Sequence, residues 1–193
     1  MIYIVSGMAR TGTSMMMHAL IKGGIPAVYE VGKDARLKIR TTEDYDPNPD
    51  GLFEITHEHL LERFPDAFED ELVKIHDWQW DEIGEKLSDT GLMIVYMVRN
   101  KQDVIDSLCK FCGSREPTSD MIERANMQVE VAQAVSCRQD AKEVVMVKYQ
   151  DVLADPLPVF EFIKGKGFPI KPEKAARVIR PEYCHFGGEA VTA

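Results

Sequence analysis

Long apolar runs are missing from this sequence. The longest clean one, Leu92 to Val98, falls far short of the ~20 residues a membrane-spanning helix needs, so no membrane association is expected. Met1 to Arg10 has no basic segment followed by a long apolar one, and no signal peptide is expected. Cysteine is sparse: residues 109, 112, 137 and 184 lack the dense spacing of a disulfide framework and fit reduced thiols in a cytoplasmic protein. Cys109-Lys-Phe-Cys112 is a CxxC without a second to complete a metal site, and Leu108 and Phe111 place it on a buried helical face. Positive charge is also short. With 23 Lys and Arg against 32 Asp and Glu, the net charge is −9, which argues against broad nucleic-acid binding, since that neutralises many phosphates. One small anionic ligand is still allowed, because a few basic groups and a helix N-terminus can dominate inside a cleft. Internal repeats, low-complexity tracts and linkers are absent.

What is present fits one folded domain. The 193 residues can bury a sizeable core, and 45% apolar with 28% charged residues is an ordinary globular balance. Apolar, β-rich runs alternate with helix-like stretches, the pattern of a parallel sheet covered by helices. Ile2–Ser6 reads as a buried strand and Thr13–Lys22 as the helix after it, closed by Gly23-Gly24. Ala27–Glu30 is predicted as a short second strand, and residues 31–51 as a long polar loop broken by Pro47 and Pro49. A helix is expected over Ile55–Arg63, a third strand over Leu72–His76, and the strongest strand over Leu92–Arg99. Gln102–Cys112 returns to helix, with a break at Ser114–Ser119 around Pro117. Asp120-x-x-Glu123 is the expected cap of an amphipathic helix with Met121, Ala125, Val129 and Ala132 along one face. Val144–Lys148 is the last strand. Phe160–Lys166 and Pro172–Ile179 are closing helices, the second opened by a proline and stopped by Pro181. The expectation is a single doubly wound α/β domain over residues 1–193, its sheet mainly parallel.

The most informative segment is Ile4-Val-Ser-Gly-Met-Ala-Arg-Thr-Gly-Thr-Ser14. An apolar strand runs into Gly7-x4-Gly12, and Thr13-Ser14 opens a helix. That is the layout of a P-loop, in which backbone N–H groups and a helix N-terminus surround a phosphate, so the fold is expected to be P-loop-NTPase-like. Met15 to Met17 are expected in the core, and His18 is expected to be structural. In nucleotide hydrolases a lysine follows the second glycine; here Thr13 stands there, and the cation is Arg10, inside the loop. Such enzymes usually hold magnesium with a carboxylate at the end of another apolar strand. The best such strand here ends Val98-Arg99-Asn100. A cation there suits a further phosphate better than a metal-bridged triphosphate.

On these residues the chain resembles the sulfotransferase superfamily, whose donor is 3′-phosphoadenosine-5′-phosphosulfate. Ala9-Arg-Thr-Gly-Thr-Ser14 is similar to the family loop that binds the 5′-phosphosulfate. Val95-Tyr-Met-Val-Arg-Asn-Lys-Gln-Asp-Val-Ile-Asp-Ser107 resembles the element that binds the 3′-phosphate, with Arg99 and Ser107 matching its two ligands. Met146-Val-Lys-Tyr-Gln-Asp-Val-Leu-Ala-Asp-Pro156 is similar to the Tyr-Glu-Asp-Leu…Pro segment beside the adenine, Tyr149 matching the family tyrosine and Gln150 departing from its Glu. The three matches fall in family order across residues 4 to 156. His185-Phe-Gly-Gly-Glu-Ala-Val-Thr-Ala193 departs from the Gly-rich, Lys-containing motif that adds contacts to the 3′-phosphate in cytosolic members.

The resemblance implies transfer of a sulfuryl group to a hydroxyl or amine of a small acceptor, leaving adenosine 3′,5′-bisphosphate, without a metal. It implies that Arg10 offsets charge on the departing 5′-phosphate, held by residues Arg10, Thr11, Gly12, Thr13 and Ser14. Lys74 is a possible second cation. Val73-Lys-Ile-His-Asp77 is similar to the Lys-x-His element of cytosolic members, which makes His76 a candidate base. Other branches use a glutamate near the end of the second strand; Glu30 is the candidate there, and Glu54 in Gly51-Leu-Phe-Glu54 a third possibility. Lys33, Arg36, Lys38 and Arg40 cluster in the long loop, where Glu43, Asp44, Asp46 and Asp50 balance them. His57-Glu-His59 lacks the helical i, i+4 spacing of a metal motif and reads as surface. Two alternatives stay open: a P-loop kinase of a nucleoside or small molecule, and a nucleotide-binding protein without catalysis.

Overall fold

Four apolar runs pair in parallel into one sheet of order β2-β1-β3-β4. The strands are β1 (Ile2–Gly7), β2 (Leu72–His76), β3 (Leu92–Val98) and β4 (Ala141–Lys148). The computed structural model describes residues 1–31, 50–84, 86 and 91–181. Among these, eight helices accompany the strands. They are α1 (Thr13–Gly23), α2 (His57–Arg63), α3 (Trp80–Gly84), α4 (Lys101–Cys112), α5 (Ser119–Ser136), α6 (Tyr149–Ala154), α7 (Pro156–Gly165) and α8 (Pro172–Ala176).

Side chains alternate across a strand, so each strand supplies both faces of the sheet. Tyr3, Val5, Met93, Val95, Met97, Val145 and Val147 pack with residues of α1, α7 and α8, including Met16, Leu20, Phe160 and Ala175. Ile2, Ile4, Val73, Ile75, Ile94 and Tyr96 pack on the other face with α2, α3 and α5, through Leu60, Trp80, Ala132 and Val135. Helices therefore cover both faces, which is why β1 and β3 read as continuous apolar runs rather than alternating ones. Each fully buried Val, Leu or Ile contributes about 1.5–3 kcal/mol, so these layers dominate the stability.

Several expected elements shift. Ala27–Glu30 forms no strand: one parallel bridge joins Ala27 to Leu72. Val28 N–H still donates to the Leu72 carbonyl, but Glu30 N–H turns away to the Glu54 carbonyl at 2.7 Å, which ends the pairing. The cap of α5 is Thr118, whose hydroxyl accepts from Met121 N–H, and not Asp120. Gln128 replaces Val129 on its buried face; Val129, one residue further round the helix, is exposed. Helix α2 begins at His57 behind a Thr56 cap. β4 begins at Ala141, α7 at Pro156, and α8 stops at Ala176. Helices α3 and α6 were not expected. Most of the predicted 31–51 loop, including all of its charge cluster but Asp50, lies outside the described residues, as do Cys184 and residues 185–193. No described helix is long and apolar enough to cross a membrane.

Candidate functional site

From β1 the chain crosses to β2 on one side, then returns past β1 to β3 on the other. Open parallel sheets bind ligands outside the carboxyl ends of the strands, where the order reverses in this way. The loop over residues 8–12 leaves β1 at that point. Register sets Gly7 level with His76 on β2 and with Met97 on β3. With strands ~4.8 Å apart, the residues ending β2 and β3 flank the loop from positions ~10 Å apart.

The loop is tight. Thr11 donates both its N–H (3.2 Å) and its hydroxyl (2.7 Å) to the Met8 carbonyl. Arg10 and Gly12 both take left-handed backbone conformations, with φ of 73° and 97°. Gly12 is the N-cap of α1 and has no side chain to satisfy the first turn, whose N–H groups are therefore offered into the loop. The ring of Tyr149 fills the space where a side chain at Gly12 would stand: an added Cβ would lie 2.4 Å from Tyr149 Cδ2. Gly12→Ala is accordingly expected to destabilise the fold by about 2–4 kcal/mol, combining left-handed strain with overpacking. A urea midpoint within experimental error of wild type would refute this contact.

On the β2 side, Lys74 and His76 lie two residues apart and so share one face of the strand. Lys74 is buried and its Nζ donates to Glu54 Oε1 (2.7 Å), the Leu52 carbonyl (2.9 Å) and Ser14 Oγ (3.0 Å). His76 Nε2 lies 2.9 Å and 3.1 Å from the two Glu54 oxygens. Its backbone N–H donates to Gln79 Oε1 at 2.8 Å, so residues 76 and 79 cap one another. Burial pushes the Glu54 carboxyl up, but Lys74 and His76 outweigh it and hold the group well below the usual carboxylate range. Glu54 is thus an ionised hub for Lys74 and His76, and Lys74 carries the connection on to Ser14 in the first turn of α1.

On the β3 side, Gln128 of α5 brackets Arg99, accepting its N–H (2.7 Å) and donating to its carbonyl (2.9 Å). The guanidinium of Arg99 lies 4.2 Å from the Tyr149 ring centroid and donates through Nη1 to the Arg10 carbonyl at 3.2 Å. Arg10 Nε donates to Ser107 Oγ at 2.9 Å, and its guanidinium covers the Phe111 ring at 5.2 Å. Asp103, 4.0 Å from Arg99 Nε, accepts from Gln150 Nε2 at 2.8 Å.

The predicted residues therefore fall into two groups around one loop. Lys74, Ser14 and His76 meet on the β2 side. Arg99, Ser107, Tyr149 and Arg10 meet on the β3 side. Glu30 joins neither: its carboxylate accepts from Thr56 N–H (3.1 Å) and hydroxyl (3.0 Å) and lies 2.6 Å from His59 Nδ1. Its pull on the start of α2 offsets burial and lowers its own pKa. His57 pairs with Glu82 at 2.9 Å. His18 lies 3.2 Å from Asp50 and stacks on Phe53, and burial lowers its pKa. Among the described residues, no three His, Cys, Asp or Glu stand together as a metal site.

Sequence reasoning missed Gln128, Asp103 and the Leu52 carbonyl, and it ranked Glu54 last among three bases. The signal for Glu54 was Lys74 itself: a lysine inside an apolar strand calls for a buried carboxylate. No family model matches the chain, and no curated protein matches it significantly.

Proposed function

We propose that this protein transfers a sulfuryl group from 3′-phosphoadenosine-5′-phosphosulfate to a hydroxyl or amine of a small acceptor. The observation that carries the reading is Arg99 just past the end of β3, its guanidinium over the Tyr149 ring and on the Arg10 carbonyl of the loop. A second anionic subsite beside a phosphate loop fits a nucleotide with phosphate on both sides of its ribose. Glycines at 7 and 12 support it, since a side chain at Gly7 would meet Thr11 Oγ1 at 2.7 Å and the Met97 carbonyl at 2.8 Å. The donor supplies an activated S–O bond to its 5′-phosphate.

The chain's own residues do the rest. The N–H groups opening α1, with the Thr13 and Ser14 hydroxyls, hold the 5′-phosphate. Lys74, already on Ser14 Oγ, offsets the charge that builds on that phosphate as its bond to sulfur breaks. His76, its Nε2 held by Glu54, takes the proton of the acceptor on its other ring nitrogen, displacing the Gln79 N–H that caps the ring here, as the new S–O or S–N bond forms. Arg99 fixes the 3′ end and so sets the approach in line. Arg99→Ala is expected to weaken adenosine 3′,5′-bisphosphate binding by about 10- to 100-fold, the worth of charge-assisted hydrogen bonds. Calorimetric titration measures it, and an unchanged affinity would remove Arg99 from the site.

The reading is tested by incubating the protein with sulfuryl-labelled donor and pooled hydroxyl and amine acceptors. Label is expected on an acceptor, with the bisphosphate accumulating in step. Binding of the bisphosphate with no transfer from any pool would instead support a non-catalytic nucleotide binder.

A further inference from the structure

We infer that Arg10 reads the 3′-phosphate of the nucleotide, although its own loop folds around the 5′ end. The inference rests on the sulfotransferase reading above. A cation at the middle of the loop can turn toward β2 or toward β3. Arg10 turns toward β3: Nε donates to Ser107 Oγ at 2.9 Å and the guanidinium covers Phe111 at 5.2 Å, both residues of α4. Its carbonyl accepts from Arg99 Nη1 at 3.2 Å, so Arg99 holds the loop backbone at the residue whose side chain reaches Ser107.

The β2 side already has its cation. Lys74 Nζ stands 3.0 Å from Ser14 Oγ, in the first turn of α1. One lysine therefore serves the 5′ end, and two guanidiniums with one hydroxyl serve the 3′ end. The division matches the chemistry. A terminal phosphate monoester carries about −1.5 to −2 charge and three acceptor oxygens, which planar guanidinium forks meet with paired, directional donors. Ser107 is buried, so Arg10 brings its Nε–H to a hydroxyl held in a fixed place. Phe111 gives the Arg10 plane an aromatic shelf on which to remain when a phosphate oxygen takes the Nε–H from Ser107.

The test is titration of wild type, Arg10→Ala and Arg10→Gly with adenosine 3′,5′-bisphosphate and with adenosine 5′-monophosphate. Glycine accepts the left-handed backbone at position 10 without strain, so the second variant stands if the first folds poorly. Wild type is expected to prefer the bisphosphate. Both variants are expected to lose bisphosphate affinity by about 10- to 100-fold, with monophosphate affinity changed less than about threefold. Equal losses for both ligands would place Arg10 at the 5′-phosphate and overturn the inference alone. A wild type that does not prefer the bisphosphate would overturn both the inference and the reading beneath it.

Discussion

Lys74→Met is expected to lower stability by about 3–5 kcal/mol at neutral pH and to abolish the proposed sulfuryl transfer. Methionine fills a similar volume, so little of the loss comes from packing. It comes from Glu54, a largely buried carboxylate that loses its lysine partner and keeps His76. Breaking a buried ion pair from one side typically costs this much, because the remaining charge is uncompensated. The pH dependence follows from the same pair. The folded-state pKa of Glu54 lies below its unfolded value. Its contribution is therefore fully present above the ordinary carboxylate range, ~4.3, and fades as pH falls below it toward the folded value. In the variant, burial without lysine lets Glu54 protonate more readily, so the gap between the two proteins should narrow in acid. Urea unfolding at pH 7 and pH 3 measures both arms. A double variant, Lys74→Met with Glu54→Gln, should recover part of the loss, since the amide carries no buried charge. A gap of equal size at both pH values would show that the ion pair contributes nothing.

His76→Ala is expected to reduce turnover by about 10²–10⁴-fold, the usual contribution of a positioned general base. Bisphosphate affinity should stay close to wild type, because Lys74 and Ser14 keep their contacts without the ring. Glu30→Gln separates this account from its rival. Glu30 holds Thr56 and His59 at the start of α2 rather than the group around Lys74. That variant should lose some stability and less than about threefold in turnover. A turnover collapse in Glu30→Gln, with His76→Ala active, would move the base to the glutamate.

The central fold elements were legible because their signals are local. Four strands and α1 follow from local runs of apolar residues, with glycines marking the end of β1, the loop and the end of α1. Ala27–Glu30 was misread because its fate depends on Glu54, 24 residues beyond its end, which captures the Glu30 N–H. The same distance problem hid the site's connections. Gln128 reaches Arg99 across 29 residues and Arg10 reaches Ser107 across 97, and no periodicity records such pairings. What the sequence did carry was chemistry out of place: a lysine and a histidine in an apolar strand, and an arginine where a metal site would hold an acid. Those anomalies named the residues, while only the packed structure gave their partners.

The central claim is that two anionic subsites flank one phosphate loop. Thermal unfolding with adenosine 3′,5′-bisphosphate, set against ATP with magnesium, tests it most directly. A ligand at a hundred times its dissociation constant stabilises the folded state by about 2.7 kcal/mol, a shift that a melting curve resolves easily. The account predicts that shift for the bisphosphate and a much smaller one for ATP with magnesium. A shift with ATP and magnesium alone would contradict it and favour the kinase reading instead.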